Sequence, residues 1–231
     1  MKNLAFKILN KVFVNRCVLC HCVAEGALCD ICKQKIKPIQ YSLCYKCGKP
    51  HYACICGKKN GFDRCISAFS YETKGVSRLI YKLKTTGNRY VTEFLADGMI
   101  ETVKREYVNV CFSAVTFVPA YSFKTSKKGF DHARLVAEII AKKLNLDIID
   151  SGIVRKGVKN QKDLKGNKRI ENAKNSYIIK KSAINLSGNI LLVDDVMTTG
   201  STFSVCSELL KNRGADAVYC VSAATSFKKG K

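Results

Sequence analysis

The stretch Asn-Ile-Leu-Leu-Val-Asp-Asp-Val-Met-Thr-Thr-Gly-Ser-Thr, residues 189 to 202, limits the folds open to this chain more than any other. Ile190, Leu191, Leu192 and Val193 form a short unbroken apolar run, the pattern of a strand buried on both faces inside a parallel sheet. Asp194 and Asp195 then emerge at the carboxyl end of that strand, where open α/β sheets bind their ligands. Thr198, Thr199, Gly200, Ser201 and Thr202 supply hydroxyls and closely spaced amides, and Phe203 to Arg213 reads as the helix that begins there. The first N–H groups of a helix lack partners and favour negative charge, so the turn suits a phosphate. Carboxylates repel phosphate and need another partner. The hydroxyls of a ribose 5-phosphate donate hydrogen bonds and supply one. Capping alone would ask for one such residue, not for the whole set.

Nine of the thirteen cysteines fall between Cys17 and Cys56. Cys17/Cys20, Cys29/Cys32 and Cys44/Cys47 are Cys-x-x-Cys pairs, and Cys54/Cys56 is a shortened fourth. Two thiolates at this spacing bite one tetrahedral Zn²⁺, so the four pairs fill two closed structural sites. Sequential and interleaved pairings are both open, and Cys22, His21 and His51 lie among the pairs. Disulfides would need an oxidising compartment, which nothing in the sequence indicates. The cysteines define a first module over 1–62. Gly57 to Asp63 reads as a linker, and a second module spans 63–231.

The formal net charge is +22, from 40 basic and 18 acidic residues, which points to a polyanionic partner and to salt-dependent binding. No apolar run reaches eighteen residues, so no transmembrane segment is expected. Met1 to Val14 has lysines interleaved with apolar residues at helical spacing, unlike a signal peptide, and a cytoplasmic protein follows.

The second module alternates strands and helices. Ala68 to Tyr71 reads as a strand, Val76 to Lys84 and Tyr90 to Glu106 as amphipathic helices, and Lys84 with Arg89 as a basic turn. A strand from Cys111 to Val118 runs into a loop with Lys124, Lys127, Lys128 and Gly129, a second anion site, and then into a helix ending at Leu144. A strand from Ile148 to Val154 precedes the basic segment Arg155 to Lys181. There Gln161, Arg169 and Asn172 are able to make directed hydrogen bonds, and Tyr177 is the one aromatic. Ala217 to Ala223 is the last strand.

The 189–202 stretch resembles the phosphoribosyl-diphosphate (PRPP) loop of type I phosphoribosyltransferases. Together with the amino-terminal cysteine pairs, the Lys128-Gly-Phe-Asp-His132 turn and the Arg169-Ile-Glu-Asn172 segment, it resembles the ComF family over nearly the full length. The resemblance implies an α/β parallel-sheet phosphoribosyltransferase fold with a small zinc-ribbon-like module in front. It implies PRPP bound with Mg²⁺, Asp194 and Asp195 as catalytic acids, Thr198 to Thr202 as the phosphate grip, and Lys127, Lys128, Gly129, Arg155, Gln161 and Arg169 around the pyrophosphate. It also implies a role in competence, with single-stranded DNA and competence-machinery proteins such as a ComF-type helicase as partners. An active phosphoribosyltransferase of nucleotide metabolism, with an unknown acceptor, is the alternative. One departure stands out: the family turn reads Arg-Gly-Phe-Asn-Gln, and here Lys128, Asp131 and His132 replace three of its residues. Lysine cannot reproduce a bidentate arginine clamp. Asp131 either sets a negative charge beside pyrophosphate or helps to hold Mg²⁺.

Overall fold

The computed structural model describes residues 15–40, 44–56, 60–120, 129–155, 176–180 and 184–227. A short helix α1 (Asp30–Gln34) lies in the cysteine-rich part. Then follow β1 (Arg64–Ser70), α2 (Val76–Thr86), α3 (Arg89–Glu106), β2 (Phe112–Phe117), α4 (His132–Leu144), β3 (Asp147–Ile148), β4 (Ile153–Arg155), β5 (Tyr177–Ile179), β6 (Asn189–Met197), α5 (Ser201–Lys211) and β7 (Ala217–Thr225). Five strands form one parallel sheet in the order β1-β7-β6-β2-β3, and β4 pairs with β5 in a separate antiparallel ribbon.

The central strand β6 is buried on both faces, as its apolar run requires. Leu191 and Val193 face α2, α3 and α4, in a core with Leu79, Leu83, Leu95, Met99, Val136 and Ile140. Ile190 and Leu192 face α5, in a core with Phe203, Cys206 and Leu210. Successive side chains of a strand point to opposite faces, so this alternation continues into the two acids. Asp194 falls on the α5 side and Asp195 on the α2 and α4 side. Local signals start the helices: the Asn88 side chain accepts from Val91 N at 3.1 Å to cap α3, and Asp131 caps α4.

Three sequence expectations change. The strand foreseen over 148–154 is two strands in different sheets, because Asp150 Oδ1 accepts from Gly152 N at 3.0 Å and Gly152 takes φ of 70°. That left-handed turn, cheap only for glycine, carries the chain off the main sheet. The linker foreseen at 57–63 is packed where it is described: Phe62 is 1% exposed in the α5-side core, and Asp63 N donates to Val218 O at 3.0 Å. Third, the stretch read as a basic segment over 155–181 contains strand: Arg155 pairs with Tyr177 across the β4–β5 ribbon.

The cysteine-rich part shares the core of the sheet. Cys17, Leu28, Cys32 and Ile36 pack in the cluster beneath α2 and α3, and Cys47 packs with Phe62 and Cys65 on the other face. Ile39 N also donates to Ala68 O at 2.8 Å.

Candidate functional site

The candidate ribose-phosphate site lies at the carboxyl end of β6. Its phosphate end is the start of α5. Gly200, the N-cap residue, has φ of 72°, and no side chain caps the helix. An added Cβ on Gly200 would stand 2.6 Å from Ile55 Cδ1, and the positive φ favours glycine there. Thr199 Oγ1 and Ser201 Oγ lie 2.8 Å apart and shape the turn, and Thr198 and Thr199 are exposed.

The turn is held from below by the cysteine-rich part. Lys49 is 3% exposed, and its ammonium donates to Thr198 O and, at 2.9 Å, to Ser226 O. Burial pushes its pKa down, against the pull of Cys47, Cys65 and Glu72. The two carbonyls close β6 and β7, so this one side chain fixes the spacing of two strand ends.

The two acids differ. Asp195 is 5% exposed and receives Lys84 Nζ on Oδ1 at 3.0 Å and His132 Nε2 on Oδ2 at 2.5 Å. Burial opposes its ionisation, but the His132 hydrogen bond and the Lys84 charge outweigh it and hold the pKa below the usual aspartate value. Asp194 is pushed well above that value by burial and by the charge of Asp195, with partial relief from the Asp195 amide that Oδ1 accepts at 2.8 Å. Neighbouring carboxyls driven apart in this way take different protonation roles.

A cavity of about 470 Å³ joins these groups, lined by Lys84, His132, Arg155, Asp194, Asp195 and Thr202 among others. The structure therefore brings Asp194, Asp195, Thr202 and Arg155 together. Arg155 arrives on β4, its guanidinium 5.7 Å from the ring centre of buried Tyr177. Gly129, with φ of 73°, lies in a neighbouring cavity beside Phe130 and Asp131. Lys124, Lys127, Lys128, Gln161, Arg169 and Asn172 lie outside the described residues.

Sequence reasoning placed Lys84 in a basic turn with Arg89. Instead Lys84 reaches Asp195, while Arg89 pairs with Glu93 at 2.9 Å. Helical spacing carried the signal for Lys84: Ile80 and Leu83 set the inward face of α2, and Lys84 follows one turn after Ile80. Asp131, considered for Mg²⁺, spends its oxygens on backbone. Oδ1 accepts from Ala133 N at 3.0 Å and Arg134 N at 3.3 Å, and Oδ2 from Ala120 N at 2.7 Å. Asp131 thus caps α4 and His132 donates to Asp195, and an asparagine and a glutamine are chemically able to do the same.

The cysteines resolve into two sequential sets, Cys17, Cys20, Cys29, Cys32 and Cys44, Cys47, Cys54, Cys56, with the four sulfurs of each set within 4.8 Å of one another. Four thiolates around one Zn²⁺ stand about 3.8 Å apart. The observed Sγ–Sγ separations of 3.6 Å for Cys20–Cys29, 3.5 Å for Cys44–Cys56 and 3.7 Å for Cys47–Cys54 fit that tetrahedron. Each set contains a thiol prepared to ionise. Burial resists ionisation of Cys17 and Cys44, but hydrogen bonds from the amides of Cys20 and Cys47, respectively, with others nearby, bring both to about 6. Cys22 Sγ lies 3.2 Å from Cys20 Sγ but falls outside both sets of four. His21 and His51 belong to neither set.

A family model described as "Phosphoribosyl transferase domain" matches residues 131–231, and one described as "Double zinc ribbon domain" matches residues 8–66. The molecule is thus a phosphoribosyltransferase-type α/β domain built onto a double zinc ribbon. Among curated proteins, it is 27% identical to Competence protein F of Haemophilus influenzae, over 88% of this chain and 93% of that protein. It is 27% identical to DNA utilization protein YhgH of Salmonella typhi, over 87% and 93%. It is 23% identical to Competence protein ComFC of Bacillus subtilis, over 84% and 81%. Over nearly its full length the chain is thus similar to proteins of the ComF type, named for competence and DNA utilization.

Proposed function

We propose that the protein is a DNA-uptake accessory factor that binds single-stranded DNA and uses its phosphoribosyltransferase-type domain to bind PRPP with Mg²⁺. The observation that carries the ligand reading is the meeting of two unlike acids with an uncapped helix start in one cavity. Asp195 accepts from the sugar hydroxyls once His132 and Lys84 shift, and the Thr198–Thr202 turn takes the 5-phosphate. Mg²⁺ travels with the diphosphate, whose charge Lys84 and Arg155 meet. The DNA reading rests on the +22 charge and on the names of the relatives. Two sets of free thiols shaped for zinc suit a reducing cytoplasm, where competence-machinery proteins such as a ComF-type helicase would be met.

Thermal shift with PRPP and Mg²⁺ tests the ligand arm: wild type rises with ligand concentration and Asp195→Ala does not. A wild type insensitive to saturating PRPP refutes it. Retention of labelled single-stranded DNA at low salt, lost as salt rises, tests the other arm. A second reading, an active transferase, is favoured by the convergence of His132, Lys84 and Arg155 on one cavity, a set of N–H donors able to receive a departing pyrophosphate. It requires pyrophosphate release on mixing PRPP with an acceptor base.

A further inference from the structure

Across the Lys84–Asp195 ion pair from the ribose-phosphate cavity lies a second, larger one of about 730 Å³, which Thr198 of the phosphate turn also lines. It opens between the loop after β1 and α2. Ile80, 2% exposed, lines it, and two tyrosines flank it: Tyr71 at 39% and Tyr81 at 68% exposure. No ring is stacked on either tyrosine among the described residues. Tyr45, as exposed as Tyr81, differs, because the Arg64 guanidinium covers its face at 4.0 Å.

Cations continue this surface. Arg78 and Lys82 stand one turn apart on α2, and Lys74 precedes the helix. Arg78 lends one N–H to Leu19 O at 3.1 Å and keeps further donors of its fork. The acid at the rim, Glu72, has its oxygens turned to Ser226 Oγ at 2.7 Å, Phe227 N at 3.1 Å and Ser70 Oγ at 2.9 Å. Open aromatic faces beside a cationic track are what sequence-tolerant binding of single strands uses: bases stack on the rings and phosphates follow the charges. A free nucleobase would fill the cavity and leave Lys74, Arg78 and Lys82 without a role.

We infer that single-stranded DNA docks along α2, with a base seated between Tyr71 and Tyr81 and its phosphates on Lys74, Arg78 and Lys82. This rests on the DNA-binding reading above and locates it. Lys84 and Asp195 form the wall shared by both cavities, so the DNA surface and the ribose-phosphate site meet at this ion pair.

The test is fluorescence anisotropy at low salt with labelled oligothymidylate and with an abasic strand of equal length and charge. Wild type binds oligothymidylate about 10-fold more tightly than the abasic strand. Tyr71→Ala and Tyr81→Ala each weaken oligothymidylate binding about 5- to 10-fold, the low end for one lost base stack, and leave the abasic strand unaffected. Arg78→Ala and Lys82→Ala weaken both strands alike, and Tyr81→Phe behaves as wild type. An unchanged thermal shift with ribose 5-phosphate shows that each variant is folded. Tyrosine variants that bind like wild type, or a wild type indifferent to the bases, overturn the docking surface. A wild type that binds neither strand overturns the DNA-binding reading instead.

Discussion

Lys49→Met asks whether the second zinc ribbon holds the phosphate turn in shape. The ammonium is 3% exposed and donates to Thr198 O and Ser226 O, which close the neighbouring strands β6 and β7. Methionine fills a similar volume and donates nothing. A hydrogen bond from a charged donor contributes about 1.5–3 kcal/mol, so two are worth about 3–6 kcal/mol. The variant recovers part of the several kcal/mol spent in desolvating an ammonium. The net loss is about 2–3 kcal/mol, which for a chain of this size lowers Tm by about 4–12 °C in differential scanning fluorimetry. The same carbonyls anchor the turn that meets the 5-phosphate, so ribose 5-phosphate affinity in isothermal titration drops about 10-fold, or about 1.4 kcal/mol. A Tm within about 1 °C of wild type would show that the buried ammonium contributes no net stability. A lowered Tm with unchanged affinity would show that the turn keeps its shape without the ribbon.

Three further predictions follow from neighbouring contacts. Mass spectrometry under native conditions finds two Zn²⁺ per chain, and a strong chelator removes them together with much of the thermal stability, because both ribbons share core with the sheet. Asp194→Asn raises Tm near neutral pH: the folded-state pKa of Asp194 lies above its unfolded value, so its stabilising contribution is lost as pH rises through that interval. The advantage of the variant therefore shrinks as pH falls toward about 4, and an advantage independent of pH refutes the assignment. Gly200→Ala costs about 1–2 kcal/mol from its positive φ and the contact with Ile55, seen as a fall in Tm of a few degrees.

The parts of the molecule legible in the sequence are those whose information is local. The run Ile190 to Val193 announces a strand buried on both sides because each of its residues is apolar, and the hydroxyl-rich turn follows without a break. The cysteine pairs announce metal for the same reason, yet their assignment to two sites waits on tertiary structure, since both pairings satisfy the spacing. Lys84 and His132 converge on Asp195 from separate helices, and no pattern within either helix names the acid they meet. Lys49 is harder still. A lysine between two cysteine pairs reads as solvated charge until the ends of β6 and β7 are brought over it. Gly57 to Asp63 misled for the opposite reason: its polar composition suggested a tether, while Phe62 was its one apolar residue and belonged to the core.

The placing of β1 beside β7 has a consequence for synthesis. Asp63 and Val218, which bond where these strands begin, are separated by 155 residues, so the ribosome needs about 8–30 s to supply the second partner after the first. During that interval the amino-terminal ribbons can load zinc, but Ile66, Ala68 and Phe69 have no β7 beside them. An apolar strand left waiting is an invitation to wrong pairing between chains. The growing protein is most vulnerable between the completion of its metal sites and the arrival of its last strand, and a holding chaperone would act in that window.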